Sequence, residues 1–92
     1  MPRPRAIQDA EAPLWLAVLL DYSFSDKNAQ RAARLDLLGI AHDATAYPDN
    51  IPHWRLTELL LRWAEQYVPG EDWKRLQSRI RKKRHGYENP HS

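Results

Sequence analysis

The sequence predicts an all-α domain, a compact bundle of about five helices, and three observations carry that expectation. Apolar residues recur at i, i+3, i+4 and i+7 spacing through Leu56, Leu59, Leu60, Trp63, Ala64 and Tyr67, the period of one helical face. The three glycines all fall where a patterned stretch runs out, as helix ends require. Finally, 92 residues with 42% apolar content and four Trp are enough for one core and leave no room for a second domain.

In chain order, residues 1–12 are polar, carry Pro2 and Pro4, and read as a flexible lead-in to a domain spanning residues 13–86. Pro13 suits the first turn of a helix, and the run Leu14 to Leu20 follows it. That run is apolar almost all round, so it predicts a central helix touched from several sides, with a buried strand as the rival reading. Ser23-Phe24-Ser25 breaks this helix, and the Ser25 hydroxyl is placed to cap a second one over about Asp26 to Leu38. The second helix offers Ala29, Ala32, Ala33, Leu35, Leu37 and Leu38 for burial, and Gly39 stands where a left-handed cap would end it.

Residues 41–47 hold two helical turns at most, a short third helix, before the turn formers of Pro48-Asp49-Asn50-Ile51-Pro52. The fourth helix starts near Pro52 or His53 and is the clearest in the chain, ending at Val68-Pro69-Gly70. The fifth opens with Glu71 and Asp72, acids that suit the positive end of a helix dipole, and runs to about His85 before Gly86. Trp73, Leu76 and Ile80 form its buried stripe, and residues 87–92 read as a loose tail.

The residues limit the chemistry on offer. With no cysteine there is neither a disulfide nor a thiolate metal site, which suits a reducing cytoplasm. The apolar run of Leu14 to Leu20 is far below the roughly 20 residues of a membrane-spanning helix, and no signal-peptide core follows the basic start. No two of His42, His53, His85 and His91 share the i, i+4 spacing that sets two imidazoles on one metal. His42-Asp43 and His53 flank one loop, but Ser23 and Ser25 sit in another turn, so no serine–histidine pair is indicated. Nor do the scattered glycines make a phosphate-cradling loop. The sequence therefore predicts no enzyme, no metal and no cofactor.

Charge is the distinctive feature. Residues 1–73 hold seven Lys or Arg against eleven Asp or Glu, while residues 74–92 hold seven against one, so a net −4 is followed by a net +6. Lys74, Arg75, Arg79, Arg81, Lys82, Lys83 and Arg84 all fall on the fifth helix, where cations also complement the dipole near its end. Such asymmetry points to an anionic partner or to an acidic patch on another protein. Arg55, Glu58, Arg62 and Glu65 alternate along the fourth helix and read as a salt-bridged face or a polar contact surface.

A set of ordered pieces adds to this: Leu19-Leu20-Asp21-Tyr22, then Ala29 through Ala33 into Leu38-Gly39-Ile40, then Trp54 with Leu59-Leu60 and Ala64, then Leu76 and Ile80, and Tyr87-Glu88-Asn89-Pro90. In that order they resemble the effector-associated domains of bacterial conflict systems, death-like helical adaptors, over about three quarters of the chain. The resemblance implies a bundle of about five helices that pairs with a like domain, or a second copy of itself, and recruits an effector in antiviral or related defence. The Arg-rich fifth helix and the loop from Pro48 to Pro52 depart from that pattern.

Death-like domains commonly join through unlike surfaces of successive copies, a heterologous contact that builds filaments when the rotation does not close. Arg75, Arg79, Lys82 and Lys83 are the expected basic side of such an interface, and Asp36, Asp43 and Asp49 the expected acidic side. The alternative is a small nucleic-acid-binding protein whose fifth helix tracks phosphates, against which stand aromatic residues that sit mostly on core faces instead of among the basic ones. A third reading is a phage or mobile-element protein that binds and inhibits a host protein.

Overall fold

The computed structural model describes residues 5–24, 26–46 and 51–88, and every regular element among them is helical. A 3-10 turn at Asp9–Glu11 leads into α1 (Ala12–Leu20), α2 (Lys27–Ala46), α3 (His53–Tyr67) and α4 (Gly70–Glu88). No helix is long and apolar enough to cross a membrane among these residues.

Because α1 has almost no polar face, only Pro13 and Ala17 of it are exposed. It packs against α2, α3, α4 and the 3-10 turn, with Ala12, Trp15, Val18 and Leu19 buried. The helix tightens at its end, where the Asp21 and Tyr22 N–H groups reach back three residues to Val18 and Leu19.

Helix α2 corrects the expected helix count. Ser25 lies outside the described residues, and the cap comes from Asp26, whose Oδ1 accepts from the Asn28 N–H at 2.9 Å. Gly39 does not end the helix. It lies outside the left-handed region, and α2 continues through it to Ala46, absorbing the short third helix expected over residues 41–47. Four α-helices, not five, therefore make up the described residues. The reason is burial: Ala33, Leu37, Ile40 and Ala44 form one stripe at i, i+4, i+7 and i+11, and only an unbroken helix puts Ile40 and Ala44 against the core. That gain outweighs a mid-helix glycine penalty of about 1 kcal/mol. The same geometry turns Leu35 and Leu38, expected to be buried, into solvent at 70% and 56% exposure.

Helix α3 buries Leu56, Thr57, Leu60, Trp63 and Ala64 and packs on both α1 and α2. Trp63 fixes the α2–α3 contact by donating Nε1–H to the Ala33 carbonyl at 2.7 Å. After Tyr67 only Val68 and Pro69 separate α3 from α4, which runs through Gly86 to Glu88, past the stop expected before that glycine. Residues 89–92 of the expected tail lie outside the described residues.

Within the expected lead-in, Ile7 is buried and Arg5 and Glu11 are half-buried while Ala6, Gln8, Asp9 and Ala10 are exposed, and residues 1–4 lie outside the described residues. The Arg5 guanidinium donates to the Ala64 and Val68 carbonyls at 2.5 and 2.6 Å. Those carbonyls belong to the end of α3, where Ala64 O also accepts the Val68 N–H at 2.8 Å, so Arg5 adds a second donor to one and reaches the cap residue's carbonyl with the other. Arg5 also sits 5.6 Å from the centre of the Trp73 ring, and Trp73 stacks on Trp15 with centroids 4.3 Å apart. One arginine thereby ties the lead-in to α3 and α4 together.

Candidate protein-interaction face

Among its described side chains helix α4 buries Trp73, Leu76 and Ile80, and it packs chiefly on α1. After Ile80 the described side chains Arg81, Lys82 and Lys83 are exposed and Arg84 is half-buried. The basic run divides around this helix. Arg84 turns toward the lead-in and makes a two-point pair with Glu11, Nε to Oε2 at 2.6 Å and Nη2 to Oε1 at 2.7 Å. Arg81 lines the same side.

Arg75, Arg79, Lys82 and Lys83, the four residues expected on the basic side of an interface, are all exposed on α4. At 100° per residue Arg75, Arg79 and Lys82 share one stripe, and Lys83 continues from Arg79 one turn further on. Arg75 and Arg79 open onto a cleft of about 310 Å³ whose other walls are Tyr22, Ser23, Asp72 and Leu76. The Tyr22 ring is held by edge contact with Phe24, which in turn meets Trp63 edge-on. Its hydroxyl donates to Asp72 Oδ2. Burial, then that bond and the Asp72 charge, push the Tyr22 hydroxyl up to about 12 against the opposing pull of Arg75, so Tyr22 stays neutral at ordinary pH.

The expected acidic side lies on α2. Asp36 Oδ2 accepts from the Tyr67 hydroxyl at 2.6 Å, which raises the Tyr67 pKa, and Asp36 borders a shallow hollow with Arg62. Asp43 stands two turns further along the same side, exposed, with His42 Nδ1 at 3.7 Å. Asp49 lies outside the described residues. Among the described residues no ion pair joins these acids to the bases of α4.

No family model, no characterised protein and no solved structure matches this chain. Of the alternating charges on α3, Arg55 and Glu58 pair at 2.9 Å on an exposed surface, a contact worth at most about 1 kcal/mol. Sequence reasoning missed Glu11 and Arg5, since each finds its partners more than fifty residues away and no short-range spacing connects them. It also missed the Tyr22–Asp72 wall of the cleft, although a tyrosine just after a fully apolar helix is a signal for a buried ring with a polar tip.

Proposed function

We propose that this chain is a protein-interaction adaptor that makes like-with-like contacts of the death-like type, a basic edge of one copy or relative meeting an acidic edge of the next, to recruit or assemble an effector in bacterial defence. The observation that carries the reading is the division of the basic run. Arg84 is held by Glu11, while Arg75, Arg79, Lys82 and Lys83 remain exposed together on one side of α4, and the acids Asp36 and Asp43 are displayed on a different helix. A surface whose complement lies elsewhere on the same chain favours heterologous association. The resemblance to effector-associated domains points the same way.

The test is charge reversal with rescue. Arg79→Glu with Lys82→Glu abolishes self-association measured by light scattering, and adding Asp43→Lys restores it when the two variants are mixed. Asp43 is the first choice because Asp36 also holds Tyr67. Undiminished association of the doubly reversed variant would contradict the basic side, and failure of every acid-to-lysine partner would contradict the acidic side.

A second reading, nucleic-acid binding, is favoured by one observation, the adjacent exposed cations Arg81, Lys82 and Lys83 on α4. It predicts binding whose logarithm falls linearly with the logarithm of salt concentration.

A further inference from the structure

From the cleft between the end of α1 and α4 we infer that Arg75 and Arg79 form a receptor for a single oxyanion head group, a carboxylate or phosphate monoester presented on a peptide side chain. The inference goes beyond the adaptor reading, because the site is complete within one copy and needs no second one.

Three features define it. Arg75 and Arg79 stand one helical turn apart, about 6 Å along the axis, and line the same opening. No ion pair to either is found among the described residues, in contrast to the clamped Arg84. Planar guanidinium groups are suited to two-point recognition of carboxylate and phosphate oxygens. Exposed Ser23 lines the same cleft, and a serine hydroxyl can serve as a further donor. Leu76 and Tyr22, both buried, complete a lining that mixes polar and apolar surface, and the volume of about 310 Å³ lies at the small end of ligand sites. A cleft of that size fits a single charged head group, not an extended polymer.

The acid in the cleft does not cancel this. Asp72 Oδ2 accepts from the Tyr22 hydroxyl, and the cleft retains two cations against one anion. Tyr22 is neutral at ordinary pH and contributes no negative charge. Asp72 does oppose an incoming anion, so Asp72→Asn, which keeps an acceptor for Tyr22, is expected to tighten binding. The site is also local. Lys82 lies nearly two turns beyond Arg75 and does not line the cleft, so a true receptor distinguishes it from Arg79, whereas a general cationic field does not.

The experiment titrates the full-length isotope-labelled chain with short glycine–serine peptides carrying a central glutamate, phosphoserine or glutamine, following the Ser23 amide and the arginine Nε–H signals by NMR. The account expects saturable shifts confined to Ser23, Arg75 and Arg79 with the glutamate or phosphoserine peptide and none with glutamine. Phosphoserine binding about ten-fold more tightly identifies a phosphorylated partner, and similar affinities identify an acidic one. Arg79→Gln is expected to weaken binding about ten-fold or more, and Lys82→Gln by less than about two-fold. Both side chains are exposed, so the fold is retained. Equal weakening by the two variants, or no saturable shift with either charged peptide, would overturn the inference. Because Arg79 also belongs to the proposed basic edge, self-association is measured separately by light scattering, and absence of saturable peptide binding with self-association intact overturns the receptor alone.

Discussion

Trp63 offers the sharpest test of how the helices are held. The side chain is 3% exposed, touches Phe24 and Tyr67 through its ring, and donates Nε1–H to the Ala33 carbonyl at 2.7 Å. Replacing it with Phe keeps an aromatic ring but removes that bond, a loss of about 1 kcal/mol. The smaller ring also leaves part of the indole volume empty, a further loss of roughly 1–2 kcal/mol in a core that cannot fully close. Ala33 is itself fully buried, so water does not readily take over as donor to its carbonyl. Together the change is expected to cost about 2–3 kcal/mol, a large share of a typical domain's stability of roughly 5–15 kcal/mol. For a chain of this size that lowers the melting temperature by roughly 10–20 °C. The assay is urea unfolding by circular dichroism, with Trp54→Phe as control, since Trp54 is 56% exposed and its replacement should cost less than about 0.5 kcal/mol. A Trp63→Phe loss no larger than the control's would refute the claim that this side chain fixes α2 on α3.

Further expectations follow from two other positions. Gly39→Ala should stabilise the protein by about 0.5–1 kcal/mol in the same unfolding assay, because a Cβ there meets nothing within 4 Å and the residue is helical; destabilisation would mean that Gly39 serves as a helix stop after all. Tyr22, with its folded pKa raised to about 12 from 10.0, contributes stability that is complete below about pH 10 and is lost as pH rises through about 12, a span of at most roughly 3 kcal/mol. Lysines titrate in the same window, so the urea midpoint is compared with that of Tyr22→Phe, whose curve should fall less steeply; parallel curves would show that Tyr22 is not buried against Asp72.

The all-helical class and the faces of α3 and α4 were legible in local pattern, because Leu56, Leu60, Trp63 and Ala64, and Trp73, Leu76 and Ile80, repeat with the helical period. The central place of α1 was legible too, in a run with no polar side to offer solvent. Gly39 misled because a local signal for a helix end competed with a tertiary one, the burial of Ile40 and Ala44, and the tertiary signal won. Leu35 and Leu38 misled for a related reason, since α2 has more apolar residues than its buried stripe holds. The lead-in was unreadable because its order depends on Arg5 meeting carbonyls at the end of α3, a contact only the folded chain creates. At the candidate face the basic side was readable as a charge run, but its division by Glu11 was not.

The clasp and the open edge give the electrostatic account its form. Arg84 is neutralised within the chain by a partly buried pair, and Arg75 and Arg79 instead border a cleft with one engaged acid. Contacts made through such exposed charges weaken as the screening length shrinks from about 10 Å at 0.1 M salt to about 3 Å at 1 M. Leu35 and Leu38 provide a separate exposed apolar element on α2, whose contribution to any contact would survive high salt.

The most direct measurement is the mass of the nuclease-treated protein by light scattering, over a range of concentrations at low and at high salt. The account predicts a mass that rises with concentration at low salt and returns toward the 10.8 kDa of a single chain at high salt, with no nucleic acid in the absorbance ratio. A strict monomer at every concentration in low salt, or a particle that keeps nucleic acid bound, would contradict it.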